Sequence, residues 1–422
     1  MKKTTVIALS LAVITMACQK SPDTVTQNDV VHISASDAMD ADSLTQSGEQ
    51  LVSPYTFHLA SQAFDMALAK DPTNMKAQFY SALLKRLMTM KGILSRLQPY
   101  VQRYGDTKRY SDMIQKIPNS PLKNFLLDGP QDISTVEGVQ QVLANYRDGA
   151  DALRTFIASN PDLQLTLNMN PYVFQQRILE NYQDSCVVSN NDNGGFSVDC
   201  PTTHALEMQV NYGDLIALKQ EAAGEVLYMS LYTSYSFNGT EALLAKASSG
   251  YTNVTGQQLF AAMKAADAGN LLAYNSLNGI HDLGADGVKA AKIALSMQND
   301  LCKTGTASPQ NRPGFMFKDG ICIGSGDNTA AQSLALVERA LAGVIQIDLT
   351  DSAGVVRPEK IDALAWARNP VQNLSQILPS SYDNCGNAVE LPDATMDGVF
   401  VNADAYLYLP APQTCAHKLS VR

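Results

Sequence analysis

Charge and aromatic side chains are both scarce in this chain. Charged residues make up 17% and aromatic residues 7% of its 422 positions, with a single tryptophan, Trp366. Acids outnumber bases, 41 to 31, for a formal net charge of −10. Nucleic acid and anionic lipid surfaces need positive counter-charge, so neither fits an acidic body as partner. Several chemical signatures are missing. There is no Walker A loop, no dinucleotide-binding glycine fingerprint, no HExxH and no CxxC. The five histidines (His32, His58, His204, His281, His417) show no ligand spacing. No metal and no cofactor is therefore expected.

What is present is a core. Hydrophobic residues make up 45% of the chain, enough to fold. The length allows two or three domains, or one large helical one. The N-terminus opens with Lys2 and Lys3. An uncharged apolar run, Thr4 to Met16, follows, and polar Gln19-Lys20-Ser21-Pro22 cuts it short. A span needs about 20 apolar residues, so the pattern reads as a secretory signal peptide.

Ile14, Thr15, Met16, Ala17 and Cys18 resemble the lipobox of bacterial lipoproteins. Thr15 stands where that family prefers leucine. The resemblance implies cleavage after residue 17 and a lipid on Cys18. With Gln19 rather than Asp next to it, it also implies an outer-membrane address, with the body in the periplasm or at the cell surface. Loss of residues 1–17 removes Lys2 and Lys3 but no acid, taking the net charge from −10 to −12. Contact with the membrane is then expected through the anchor alone.

Seven cysteines occur, and with Cys18 given to lipid six remain. Six allow 15 pairings. They fall into local couples, predicting Cys186–Cys200, Cys302–Cys322 and Cys385–Cys415 as disulfides in an oxidising compartment. Metal binding is the rival reading and lacks the spacing.

Residues 18–40 read as a lipid-anchored flexible tether, being polar, acidic and poor in large apolar side chains. Over Ala41–Asn74, the residues Gly48, Leu51, Ala60, Phe64, Ala67 and Pro72 fall at the offsets of a tetratricopeptide repeat. Small residues let two helices approach, Phe64 fills the gap, and Asp71-Pro72 stops the second helix. The resemblance covers one repeat. Two weaker segments follow, "NMKAQFYSALLKRLMTMKGILSRL" and "YRDGADALRTFIASNPDLQ". The fold expected is mostly α, with repeat-like helical layers and a few short β-hairpin excursions closed by disulfides. The tetratricopeptide-like region runs over 41–180, and a second helical region with disulfide-closed loops over 181–422. A single continuous helical domain is the alternative.

Within that frame, Ser134 or Thr135 should cap a long helix with Glu137 in its first turn. "CVVSNNDNGGFSVDC" reads as a hairpin with a cysteine at each end. A calcium loop at Asn191, Asn193 and Gly194 lacks the closing Glu, because Cys200 occupies that region. Tyr212 to Phe237 reads as a helix, with Tyr228, Tyr232 and Tyr235 as an aromatic ridge and candidate ligand-binding surface. "VFVNADAYLYL" reads as strand.

Candidate catalytic groups are thin. Ser325 lies between two glycines, but a nucleophile elbow needs Gly-x-Ser-x-Gly. His281-Asp282 reads as a loop in which Asp282 or Asp286 caps the next helix, and His204 stands alone. No catalytic residue is assigned. The first function reading is a non-enzymatic envelope lipoprotein that scaffolds or binds an envelope protein. The second is a small-molecule or glycan binding module working with a transporter, and the third a hydrolase with a dispersed site.

Overall fold

The computed structural model describes residues 30–52, 56–117, 119, 121–169, 187–190, 196–201, 206–210, 212–243, 256–265, 268–272, 282–289, 292, 329–350, 356–379, 381–382, 388–390, 392–393 and 395–401. The molecule is mostly helical, with a few short strands. The chain opens with strand β1 (Val30–Ala35), then helices α1 (Ala41–Leu51), α2 (Phe57–Lys70) and α3 (Met75–Met88). Four short helices follow: α4 (Ile93–Arg96), α5 (Gln98–Tyr104), α6 (Thr107–Lys116) and α7 (Pro121–Leu127). The long α8 (Val136–Ser159) leads to β2 (Leu165–Met169), β3 (Val187–Asn190), β4 (Phe196–Pro201) and β5 (Leu206–Val210), then to α9 (Tyr212–Thr233). Beyond it are α10 (Gly256–Ala265), α11 (Thr329–Ala342), β6 (Ile345–Thr350), β7 (Val356–Ile361), α12 (Ala365–Arg368), β8 (Ser381–Tyr382) and β9 (Ala388–Glu390).

Caps set the helix starts. Asp40, Asn74, Asp106 and Thr135 each accept from a backbone amide three residues on, at 2.7, 3.0, 3.0 and 3.2 Å, opening α1, α3, α6 and α8. The α8 cap is thus Thr135, with Glu137 in the first turn. α2 ends at Lys70, just before Asp71-Pro72.

The first layer is held by close approach. A Cβ on Gly48 would lie 2.6 Å from the Phe64 ring, so α1 and α2 meet at a distance only glycine allows. Phe64 in turn stacks on Tyr80 of α3 at 4.6 Å. Buried Glu49 ties this layer together. It accepts from Lys76 Nζ (3.2 Å), Tyr80 Oη (3.2 Å) and the Asn168 amide (3.1 Å), joining α1, α3 and β2. Burial, and then the Glu49 charge, push the Tyr80 phenol up. The described contacts support a helical-hairpin layer from α1 to α3; they do not establish a repeat array.

β1 falls inside the stretch read as tether. It pairs antiparallel with β4, Ile33 opposite Val198 and Ala35 opposite Phe196, and these four side chains enter the core formed by α1 to α3. Local composition hides this, because the partner strand lies far along the chain. β4 also pairs with β3, giving the order β1-β4-β3, while β2 pairs with β5, β6 with β7 and β8 with β9. All the pairs are antiparallel.

Among the described residues, no helix is long and apolar enough to cross a membrane. Of the seven cysteines, only Cys200, on β4, falls within the described residues; Cys18, Cys186, Cys302, Cys322, Cys385 and Cys415 lie outside them, as do the three expected disulfides. Most of the expected strand at 399–409 also lies outside.

Candidate functional site

α9 is rich in apolar residues, and α8 packs along it. Along one stripe of α9, Glu221, Glu225, Tyr228 and Tyr232 recur at helical spacing. The two halves of that stripe have different surroundings.

The first half is covered by α3. Arg86, 1% exposed, donates from Nη2 to Glu221 Oε1 (3.0 Å) and from Nη1 to Glu225 Oε2 (2.8 Å). Tyr146 of α8 donates to Glu225 Oε1 at 2.9 Å. The helices close tightly here, since a Cβ on Gly149 would lie 2.6 Å from Arg86 Cα. Burial alone would lower the guanidinium pKa, but Glu221 and Glu225 more than offset it, and the net shift is upward. Both glutamates are pushed up as well, by burial first, with Arg86 opposing. One cation faces two carboxylates, so the excess negative charge favours holding a proton.

The second half emerges into solvent. Tyr228 is 37%, Leu231 57% and Tyr232 45% exposed. The two tyrosine rings meet edge to face at 5.0 Å, and Tyr232 Oη donates to Tyr228 Oη at 3.1 Å. That bond, then burial, push Tyr232 up. The end of α9 beneath them carries a series of side-chain bonds to backbone. Ser230, Thr233 and Ser234 bond back to carbonyls four residues earlier. Buried Gln140 of α8 donates from Nε2 to the carbonyls of Tyr232 and Tyr235, both at 2.7 Å, and accepts from the Phe237 amide at 3.2 Å. The bond to Tyr232 takes up a carbonyl that the helix end leaves open, and the other two hold the turn that follows.

The expected ridge therefore divides. Tyr228 and Tyr232 form a surface pair. Tyr235 lies past the helix end, which comes at Thr233 and not at Phe237, and it is buried. Its hydroxyl donates to the Val371 carbonyl (3.0 Å) and accepts from Trp366 Nε1 (2.6 Å). Trp366 sits half-buried against Tyr235, Val371 and Ile377. Beside this cluster is a cavity of about 310 Å³ whose lining includes Asn369, Val371, Gln372, Gln376, Asp393 and Asp397.

No family model, curated protein or solved structure matches this chain. Function must be argued from its own surfaces.

Ser325, His204 and His281 lie outside the described residues. Asp282 begins the helical stretch 282–289, while Asp286 lies within it and pairs with Arg154 (3.2 Å) and Lys219 (3.1 Å) rather than capping it. Among the described residues, no three His, Cys, Asp or Glu side chains gather as a metal group. Sequence reasoning missed the Arg86 cluster. Its one local trace is Glu221 and Glu225 four residues apart on a helix rich in apolar residues.

Proposed function

We propose that this chain is a bacterial outer-membrane lipoprotein, anchored through Cys18, whose tetratricopeptide-like helical body is a non-enzymatic scaffold that binds an envelope protein. The observation that carries this reading is the exposed Tyr228, Leu231 and Tyr232 face of α9. Its apolar and aromatic side chains sit on a helix end clamped from beneath by Gln140. Tyrosine gives large contact area at low entropic cost and is enriched in protein-binding hot spots. The acidic chain directs the choice toward protein and away from nucleic acid or anionic lipid. The antiparallel register of β3 and β4 supports the hairpin that the Cys186–Cys200 disulfide needs.

A photo-crosslinking residue placed at Leu231 of the full chain in its native envelope tests the proposal. One dominant protein adduct is expected, lost when Tyr228 and Tyr232 are both changed to serine. Unchanged adduct in that double variant, or no specific adduct, refutes it. Cys18→Ala separates anchoring from recognition: the soluble body should still bind the purified partner.

A further inference from the structure

The outer face of α9 holds a glycine that its own chain does not account for. Gly224 is exposed, in the middle of the helix. Glycine in a helix interior is destabilising relative to alanine, so it needs a reason. A left-handed backbone would be one, and Gly224 does not have it. A close neighbour would be another. Gly48 and Gly149 each have one, since an added Cβ would lie 2.6 Å from Phe64 in the first case and from Arg86 in the second. A Cβ on Gly224 would meet nothing within 4 Å among the described residues.

The residues around Gly224 form a continuous face. Gln220, Gly224, Leu227 and Leu231 step by four, three and four positions, the spacing of a helix–helix seam. Tyr228 lies on the same side, one turn after Gly224. This face is uncharged. Glu221 and Glu225 flank it, but Arg86 holds both from within, and Lys219 pairs with Asp286 at 3.1 Å. Two chains of net charge −10 repel each other as whole bodies, and here no charge opposes contact.

The same face supplies a gap and a filler. Gly224 leaves space beside the helix, and Tyr228 offers an exposed ring four residues on. A two-fold axis perpendicular to α9 and level with Val226 exchanges the two positions, because each lies two residues from it. The face is then complementary to itself, as a two-fold interface requires. The chain already packs helices this way, with the Phe64 ring of α2 over Gly48 of α1.

We propose that a second copy of this chain covers this face. The two α9 helices run antiparallel about that axis, with Tyr228 of each copy packed over Gly224 of the other and Leu231 continuing the seam. The inference rests on the reading of the Tyr228, Leu231 and Tyr232 face as a protein-binding surface, and it names the occupant.

Sedimentation equilibrium of the purified full chain over a range of concentrations tests it. A monomer–dimer equilibrium is expected, little changed by added salt because the contact is uncharged. Gly224→Gln should weaken the dimer about tenfold or more, by overfilling the contact. Gly224→Ala, the gentler variant, should move two readouts in opposite directions. The Tm of the monomer should rise, because alanine is the better helix former and has room, while the dimer weakens. A dimer constant within about twofold of the parent in both variants overturns the proposal, since association through any other segment, the apolar N-terminal run included, would behave so. A monomer Tm that falls in Gly224→Ala also overturns it, because the glycine then has a reason inside the chain. A chain that stays monomeric up to its solubility limit overturns the dimer too. If the Leu231 photo-adduct to a different protein is then still formed, the binding face itself stands; if that adduct is also missing, both readings fall.

Discussion

Replacing Arg86 with methionine should be among the most damaging single changes to this fold. The substitution keeps an unbranched apolar stem but removes the guanidinium and its charge. The Arg86 side chain is 2% exposed, and its partners Glu221 and Glu225 are 10% and 13% exposed. Breaking a buried pair from one side costs about 3–5 kcal/mol, because the remaining charge stays buried without its partner. Here two carboxylates are left, so the upper part of that range is expected at pH 7.5. The glutamates then respond to pH. Their folded pKa values already lie above the ordinary 4.5, and without Arg86 they rise further. A carboxyl with a raised folded pKa binds protons more tightly in the native state, so it costs stability above that pKa and ceases to do so below the unfolded value. The loss in Arg86→Met should therefore shrink as pH falls from 7.5 toward 5. The acid response of His58 is common to both proteins and cancels in the difference. Urea unfolding of the soluble body at the two pH values, followed by circular dichroism, measures the loss. The triple variant Arg86→Met, Glu221→Gln, Glu225→Gln should recover most of it, since no charge is left buried. A loss below about 1 kcal/mol at pH 7.5, or one that grows toward pH 5, would refute this account of the cluster.

Three further outcomes follow from other contacts. Gly48→Ala should cost about 1–2 kcal/mol despite alanine's better helix propensity, because its Cβ would sit 2.6 Å from the buried Phe64 ring; a Gly48→Ala, Phe64→Leu cycle should show favourable coupling in denaturant melts. Gln140→Leu should cost roughly 2–4 kcal/mol by leaving the Tyr232 and Tyr235 carbonyls and the Phe237 amide unpaired, with faster amide exchange around Tyr235 as the check. His58 is held neutral by burial, and secondarily by Lys91, with its pKa lowered from 6.5 to about 4, and its Nδ1 has no partner. Its contribution is complete above pH 6.5 and is lost as pH falls toward 4, so His58→Phe should flatten the stability profile across that window.

The Arg86 cluster shows how a site escapes a sequence reading. Glu221 and Glu225 stand four residues apart, but the arginine that joins them lies 135 and 139 residues away. The tyrosine ridge shows the opposite case. All three residues were legible as a helical stripe, but the early end of α9 and the bond from Trp366 take Tyr235 inside.

By itself the sequence determined what is local. Apolar periodicity, the Thr135 cap, the Asp71-Pro72 stop and the Gly48–Phe64 spacing each depend on residues a few positions apart, or on one hairpin of helices. They predicted α1, α2, α8 and the start of α9. Only the tertiary structure decided the placement of β1, the joining of Arg86 to Glu221 and Glu225, and the division of the tyrosines between surface and core. Those depend on partners more than a hundred residues away. Their energies come from shared burial, which no short stretch of sequence encodes.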